Sequence, residues 1–153
     1  MSSQLQHIAD TVTKAAGWNQ ALPDAEGAFR FELEGGLDFS LLSPDGKTAV
    51  LLADLGPAPD SSAPQGADDL RRIASLAAAS LKKRRSTLAL AGGRVELQRS
   101  FPVTFATEQE ICPEVRDFLN DLAWWKKQLG GTDSSSTAST SPFSFSFGGW
   151  FNS

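Results

Sequence analysis

One histidine, His7, and one cysteine, Cys112, are present among 153 residues. A thiol nucleophile needs a nearby base to activate it. His7 falls on the polar side of a predicted helix, and Cys112 stands beside Pro113 with no partner legible in the sequence. One of each is too few for a zinc site of the usual kind. The paired carboxylates Asp68/Asp69 and Asp117/Asp121 read as a helix N-terminus and a solvated helix face. Nothing singles out two acids for glycosidic acid–base work. Three glycine pairs, Gly35-Gly36, Gly92-Gly93 and Gly148-Gly149, lack the GxGxxG or GxxxxGK[ST] spacing that cradles phosphate. The first two read as hairpin turns. No catalytic residue, metal or cofactor is expected, and the chain reads as a protein that works by binding.

The formal net charge of -4 and a sequence pI near 4.9 argue against nucleic acid as the partner, since phosphate binding needs a cationic face. The exception is the run Lys82-Lys83-Arg84-Arg85. It follows a predicted helix, where cations complement the macrodipole. A single cysteine excludes an intrachain disulfide and suits a reducing compartment. Residues 1–10 lack a charged region followed by an apolar one. No apolar run approaches the ~20 residues of a membrane span. A cytoplasmic protein without membrane contact is the expectation.

The elements must then supply the binding surface. Gln4 to Gly17 reads as an amphipathic helix with Leu5, Ile8, Ala9, Val12 and Ala16 on one face. Ala28 to Glu34 alternates as a half-buried strand, with Phe29, Phe31 and Leu33 pointing one way. Gly35-Gly36 offers a two-residue hairpin turn into a strand with Leu37, Phe39 and Leu41. Ser43-Pro44-Asp45-Gly46 is a turn, and Thr48 to Leu55 a third, central strand. Gly56 to Gly66 reads as a loop. Asp68 to Leu81 is a second helix, apolar or small nearly all round apart from its two arginines. A helix of that kind is buried on more than one side, and a second subunit is a plausible cover. Thr87 to Ala91 and Arg94 to Phe101 form a hairpin around Gly92-Gly93. Pro113 to Leu129 is a third helix with proline near its start. Trp124 on this helix points to the polar side, among Asp117, Asn120 and Lys127, and wants a partner.

Residues 1–131 thus form one domain, and residues 132–153 differ in character. A Ser/Thr-rich linker leads into Pro142-Phe143-Ser144-Phe145-Ser146-Phe147-Gly148-Gly149-Trp150-Phe151. Phe-Ser-Phe-Ser-Phe has strand period. The bland reading is a tail that packs on nothing. The alternatives are strand addition to a sheet edge and a docking peptide for another protein. Trp124, Phe143, Phe145, Phe147, Trp150 and Phe151 are the residues such docking would use.

The order α-β-β-β-α-β-β-α makes an α+β chain with an antiparallel sheet. That order, the run Phe29 to Leu41, Leu55-Gly56-Pro57, a Leu-rich second helix and Leu97-Gln98-Arg99 before Pro102 resemble the class I type III secretion chaperones, the effector-binding CesT-like family. The resemblance spans about Leu5 to Leu129. It implies a homodimer, with Leu70, Ile73, Leu76, Ala77, Leu81, Leu88 and Leu90 at the subunit interface. It implies a non-catalytic partner for the N-terminal segment of a secreted effector, kept soluble and handed to the export apparatus. Leu5, Ile8, Val12, Phe29, Phe31 and Phe39 are the candidate effector-binding residues. A regulatory protein that sequesters a regulator is the alternative. The Ser/Phe-rich tail is not part of the family pattern.

Overall fold

The computed structural model describes residues 2–81, 83 and 85–129. The elements are α1 (Ser2–Ala16), β1 (Phe29–Phe31), β2 (Phe39–Leu42), β3 (Thr48–Pro57), α2 (Pro64–Ser80), β4 (Thr87–Ala91), β5 (Arg94–Pro102) and α3 (Glu108–Leu129). They follow the expected order. The strands form one antiparallel sheet in the order β1-β2-β3-β5-β4.

Alternation decides which side of this sheet is core. Ala49, Leu51 and Ala53 of β3 are buried, and so are their cross-strand partners Phe101, Arg99 and Leu97 of β5. α1 and α3 cover that face, burying Ile8, Val12, Val115, Phe118, Leu122 and Trp125 almost completely. Each such side chain contributes about 1.5–3 kcal/mol by leaving water. The opposite face carries Thr48, Val50, Gln98 and Ser100, by the same alternation.

The first hairpin differs from expectation. A two-residue turn at Gly35-Gly36 would pair Phe31 with Ser40. Cross-strand partners share a face, so Phe39 and Leu41 would then point away from Phe29 and Phe31. The observed register pairs Phe31 with Phe39 and Phe29 with Leu41, and all four are buried. The connection is correspondingly longer. It holds a short 3-10 turn, Glu34–Gly36, with Gly35 at φ +77°, and Asp38 Oδ1 accepts the Leu33 amide at 3.0 Å. The second hairpin is as expected. Ala91 pairs with Arg94, and Gly92 and Gly93 both take positive φ, as a type I′ turn demands.

The helix starts also move: α1 begins at Ser2 rather than Gln4. α2 begins at Pro64, so Asp68 and Asp69 lie beyond its first turn, and Asp68 pairs with Arg71 at 2.5 Å. Gly66 packs so closely on residue 60 that a Cβ there would sit 1.8 Å from the Asp60 carbonyl oxygen. α3 begins at Glu108 rather than Pro113, which lies inside it. A capping box supplies the reason. Thr107 Oγ1 accepts the Glu110 amide at 3.2 Å, and Glu110 Oε1 accepts the amides of Thr107 and Ala106 at 3.2 and 3.0 Å. Proline has no N–H to return to the preceding turn, yet the helix continues through it.

Candidate binding surfaces

The six residues expected to meet an effector are all interior. Leu5, Ile8, Val12, Phe29, Phe31 and Phe39 belong to the core cluster. The physical reason is the register described above, which gathers both strands of the hairpin under α1 and α3. What the surface presents there is Trp18, a residue that sequence reading passed over. It lies two residues after the end of α1, half-buried, 6.0 Å from the Phe31 ring and 6.4 Å from Phe39. Phe31 and Phe39 stack at 4.8 Å, and Phe39 meets Phe118 at 5.9 Å. Leu33 is half-buried beside this cluster, and Leu22, in the connection that follows Trp18, is 75% exposed. The only legible signal for Trp18 was a large aromatic just after the helix-ending Gly17.

A second surface comes from α2 and β4. Within the chain, α2 buries Gly66, Ile73 and Ser80. Leu76, Ala77 and Leu88 are partly buried against the core, and Leu70 is half-buried. Leu81, just past α2, and Leu90 on β4 remain 62% and 64% exposed. Leu88 and Leu90 stand opposite the buried Leu97 and Val95, so they project from the helix-bearing face, Leu88 half-buried and Leu90 open. Of the seven residues expected at a subunit interface, Ile73 is buried, Leu70, Leu76, Ala77 and Leu88 are half-buried, and Leu81 and Leu90 stand exposed.

A buried charge cluster joins β5 to α3 and reaches the start of β4. Arg99 sits at an inward position of β5, with its side chain 4% exposed. Its Nε donates to Glu114 Oε1 at 2.8 Å, and its outer nitrogens lie 3.9 Å from Asp117 and 3.8 Å from Asp121. Residues 114, 117 and 121 share one face of α3 by helical spacing. Asp121 was read as part of a solvated face, but it is buried. A charge is buried only when paired and hydrogen-bonded, and Arg99 provides the pairing. Asp121 Oδ2 also accepts the Ser86 amide at 3.3 Å, which ties the start of β4 to α3. Lys83 and Arg85 of the basic run line the cleft beside this cluster.

Trp124 is half-buried and packs edge-on against Trp125 at 5.0 Å, part of the apolar shell around the core. Phe143, Phe145, Phe147, Trp150 and Phe151 lie outside the described residues. His7 Nε2 is 2.7 Å from the Ala106 carbonyl oxygen. Cys112 is buried, and burial, aided by the negative Glu108, pushes its thiol up to about 11. Such a thiol is a poor nucleophile. A cavity of about 410 Å³ opens beside Pro44, Asp45, Thr48, Val50, Arg85, Thr87, Gln98, Arg99 and Ser100. Among the described residues no group of three His, Cys, Asp or Glu side chains is placed to hold a metal ion, and no helix is long and apolar enough to cross a membrane.

No protein-family model matches this chain, and no curated protein does. Solved structures do. A chain of the HopA1-SchA chaperone–effector complex is similar with a TM-score of 0.61 and 14% identity, over 82% of this chain and 95% of that one. A chain of the ExsC-ExsE complex matches with a TM-score of 0.63 and 15% identity, over 84% and 96%. The structure of the Yersinia pestis type III secretion chaperone SycH with a fragment of YscM2 matches with a TM-score of 0.53 and 11% identity, over 78% and 98%. At these identities the shared property is the arrangement of the backbone. The helices over one face, the sheet order and the two hairpins together give this chain the fold of the type III secretion chaperones.

Proposed function

We propose that this chain is a non-catalytic chaperone that binds the N-terminal region of a type III secreted effector as a homodimer in the cytoplasm. It keeps that segment soluble and passes it to the export apparatus. The observation that carries the reading is the fold, shared with chains from three complexes that pair a chaperone-like protein with another polypeptide. Exposed Leu81 and Leu90, with the half-buried Leu70, Leu76, Ala77 and Leu88 and the buried Ile73 on the same two elements and the turn after α2, support the homodimer, because large apolar side chains left in water mark an interaction site. The effector segment lies over Trp18, Leu22 and Leu33, with Leu5, Ile8, Val12, Phe29, Phe31 and Phe39 as the floor beneath. An extended chain held there is kept from aggregating by the same apolar contacts that would otherwise drive it to aggregate.

The full chain, purified from its native host, is expected to bring down a secreted protein and to run as a dimer by light scattering. Trp18→Ala is expected to weaken capture, since an interface tryptophan commonly carries 2 kcal/mol or more, about thirtyfold in affinity. Leu81→Asp with Leu90→Asp is expected to leave a monomer. A monomeric wild-type chain that binds no secreted protein defeats the reading. A stable complex with a non-secreted regulator moves the chain to the regulatory alternative.

A further inference from the structure

The negative charge of this chain is unevenly placed. Between Trp18 and Leu42 lie five acids, Asp24, Glu26, Glu32, Glu34 and Asp38, against one cation, Arg30. That stretch alone carries -4, the formal net charge of the whole chain. Of the 18 acidic and 14 basic residues, 13 of each lie elsewhere and cancel. Lys14, in the last turn of α1, is the nearest cation ahead of the stretch.

The fold sets these acids around the apolar surface left open at Leu22 and Leu33. Pro23 bridges to Phe29, and the Asp24 amide donates to the Ala28 carbonyl oxygen at 2.8 Å. The connection after α1 is thus laid along the outer edge of β1, with Leu22 75% exposed. Glu32 and Glu34 flank the half-buried Leu33 in the chain, and Asp38 Oδ1 accepts the Leu33 amide. Arg30 lies 3.6 Å from Asp24, whose carboxyl is held below its usual range by the amides of Ala28 and Glu26, with Arg30 after them. Glu26, Glu32, Glu34 and Asp38 are exposed, and among the described residues none of them pairs with a cation. Like charges grouped in this way repel one another in the folded chain. A cation brought by a partner relieves that repulsion.

Resting on the reading that this surface holds an effector segment, we propose that the segment is both apolar and cationic. Its apolar side chains cover Leu22 and Leu33, and lysine or arginine side chains spaced among them reach Glu26, Glu32, Glu34 and Asp38. The leucines supply burial. The acids supply selection, because charges at the rim of an interface speed the encounter with a partner of opposite sign and exclude one of like sign. A segment of equal apolar content that is uncharged or acidic binds here more weakly.

Short labelled peptides test this on the full chain by fluorescence anisotropy. In one, leucine alternates with lysine; in the others, with serine or glutamate. The leucine–lysine peptide should bind most tightly. Raising the salt from about 0.01 M to about 1 M, which shortens the screening length from roughly 30 to 3 Å, should weaken it about tenfold. Glu26→Gln/Glu32→Gln/Glu34→Gln should cost it about tenfold, the combined effect of three exposed charge pairs. Asp68→Asn/Asp69→Asn/Glu108→Gln makes an equal change of charge on α2 and at the start of α3, and should cost less than about twofold. Leu22→Ser/Leu33→Ser should weaken all three peptides. Equal binding of the three peptides, each weakened by Leu22→Ser/Leu33→Ser, would overturn the cationic preference and leave the apolar surface standing as the binding site. Equal losses in the two charge variants would also overturn it, since overall charge would then be the cause. Peptides that fail to bind, or that bind regardless of Leu22→Ser/Leu33→Ser, would defeat the placement of the segment and the cationic preference together.

Discussion

Replacing Arg99 by methionine tests what the buried charge cluster contributes. The arginine side chain is 4% exposed, Glu114 14% and Asp121 6%. Methionine keeps much of the stem's volume and fills irregular space readily, so the main loss is the charge. Two carboxylates then remain out of water without a counter-ion. Removing one partner of a buried ion pair costs about 3–5 kcal/mol, a large share of a total stability of about 5–15 kcal/mol. With a urea slope of about 2 kcal/mol per molar, the unfolding midpoint falls by roughly 1.5–2.5 M. Added salt should change the deficit little, because buried charges are weakly screened. Because Asp121 also holds the Ser86 amide, β4 amides should lose protection before those of β3. The triple variant Arg99→Met/Glu114→Gln/Asp121→Asn removes the stranded charges and should recover most of the loss. A single-variant cost below about 1 kcal/mol, or a triple variant no more stable than the single, would refute the reasoning.

Three further outcomes are expected. Glu110 is held below the usual carboxylate range by the amides of Ala106 and Thr107. Its stabilising effect is thus present above its ordinary value of 4.5 and is lost as the pH falls through the lower folded-state value. Glu110→Gln should flatten that acid limb in a urea–pH series, and Thr107→Ala should cost about 1 kcal/mol as a lost cap. Cys112, with its thiol raised to about 11 by burial, should resist an aromatic disulfide reagent in the native protein at pH 8 and react at once in urea. Gly66→Ala must displace the Asp60 backbone; overpacking of this sort costs about 1–3 kcal/mol, and proteolysis between residues 56 and 66 should quicken.

Element order was legible because it rests on local pattern. Alternation in Phe29–Phe31 and Val95–Phe101 and the three- and four-residue spacing of Val115, Phe118, Leu122 and Trp125 are written in the chain itself. So is the Gly92-Gly93 turn, whose backbone conformation glycine alone favours. The start of α3 was equally legible: Thr107 and Glu110 spell a capping box ahead of Pro113. Arg99 could also have been found, since it sits in the inward phase of a strand and faces acids spaced along one side of α3.

Tertiary structure decided the rest. Gly35-Gly36 satisfies every local rule for a tight turn, yet the demand that Phe29, Phe31, Phe39 and Leu41 share one buried face shifts the register by a residue. Apolar pattern shows which residues leave water, but not whether a neighbour in the same chain or a partner covers them. That is why Leu5, Ile8 and Phe39 read like Leu81 and Leu90 in the sequence. Packing between α1, α3 and the sheet buries the first three. Leu81, past the end of α2, and Leu90, on a strand that ends the sheet order, are left 62% and 64% exposed.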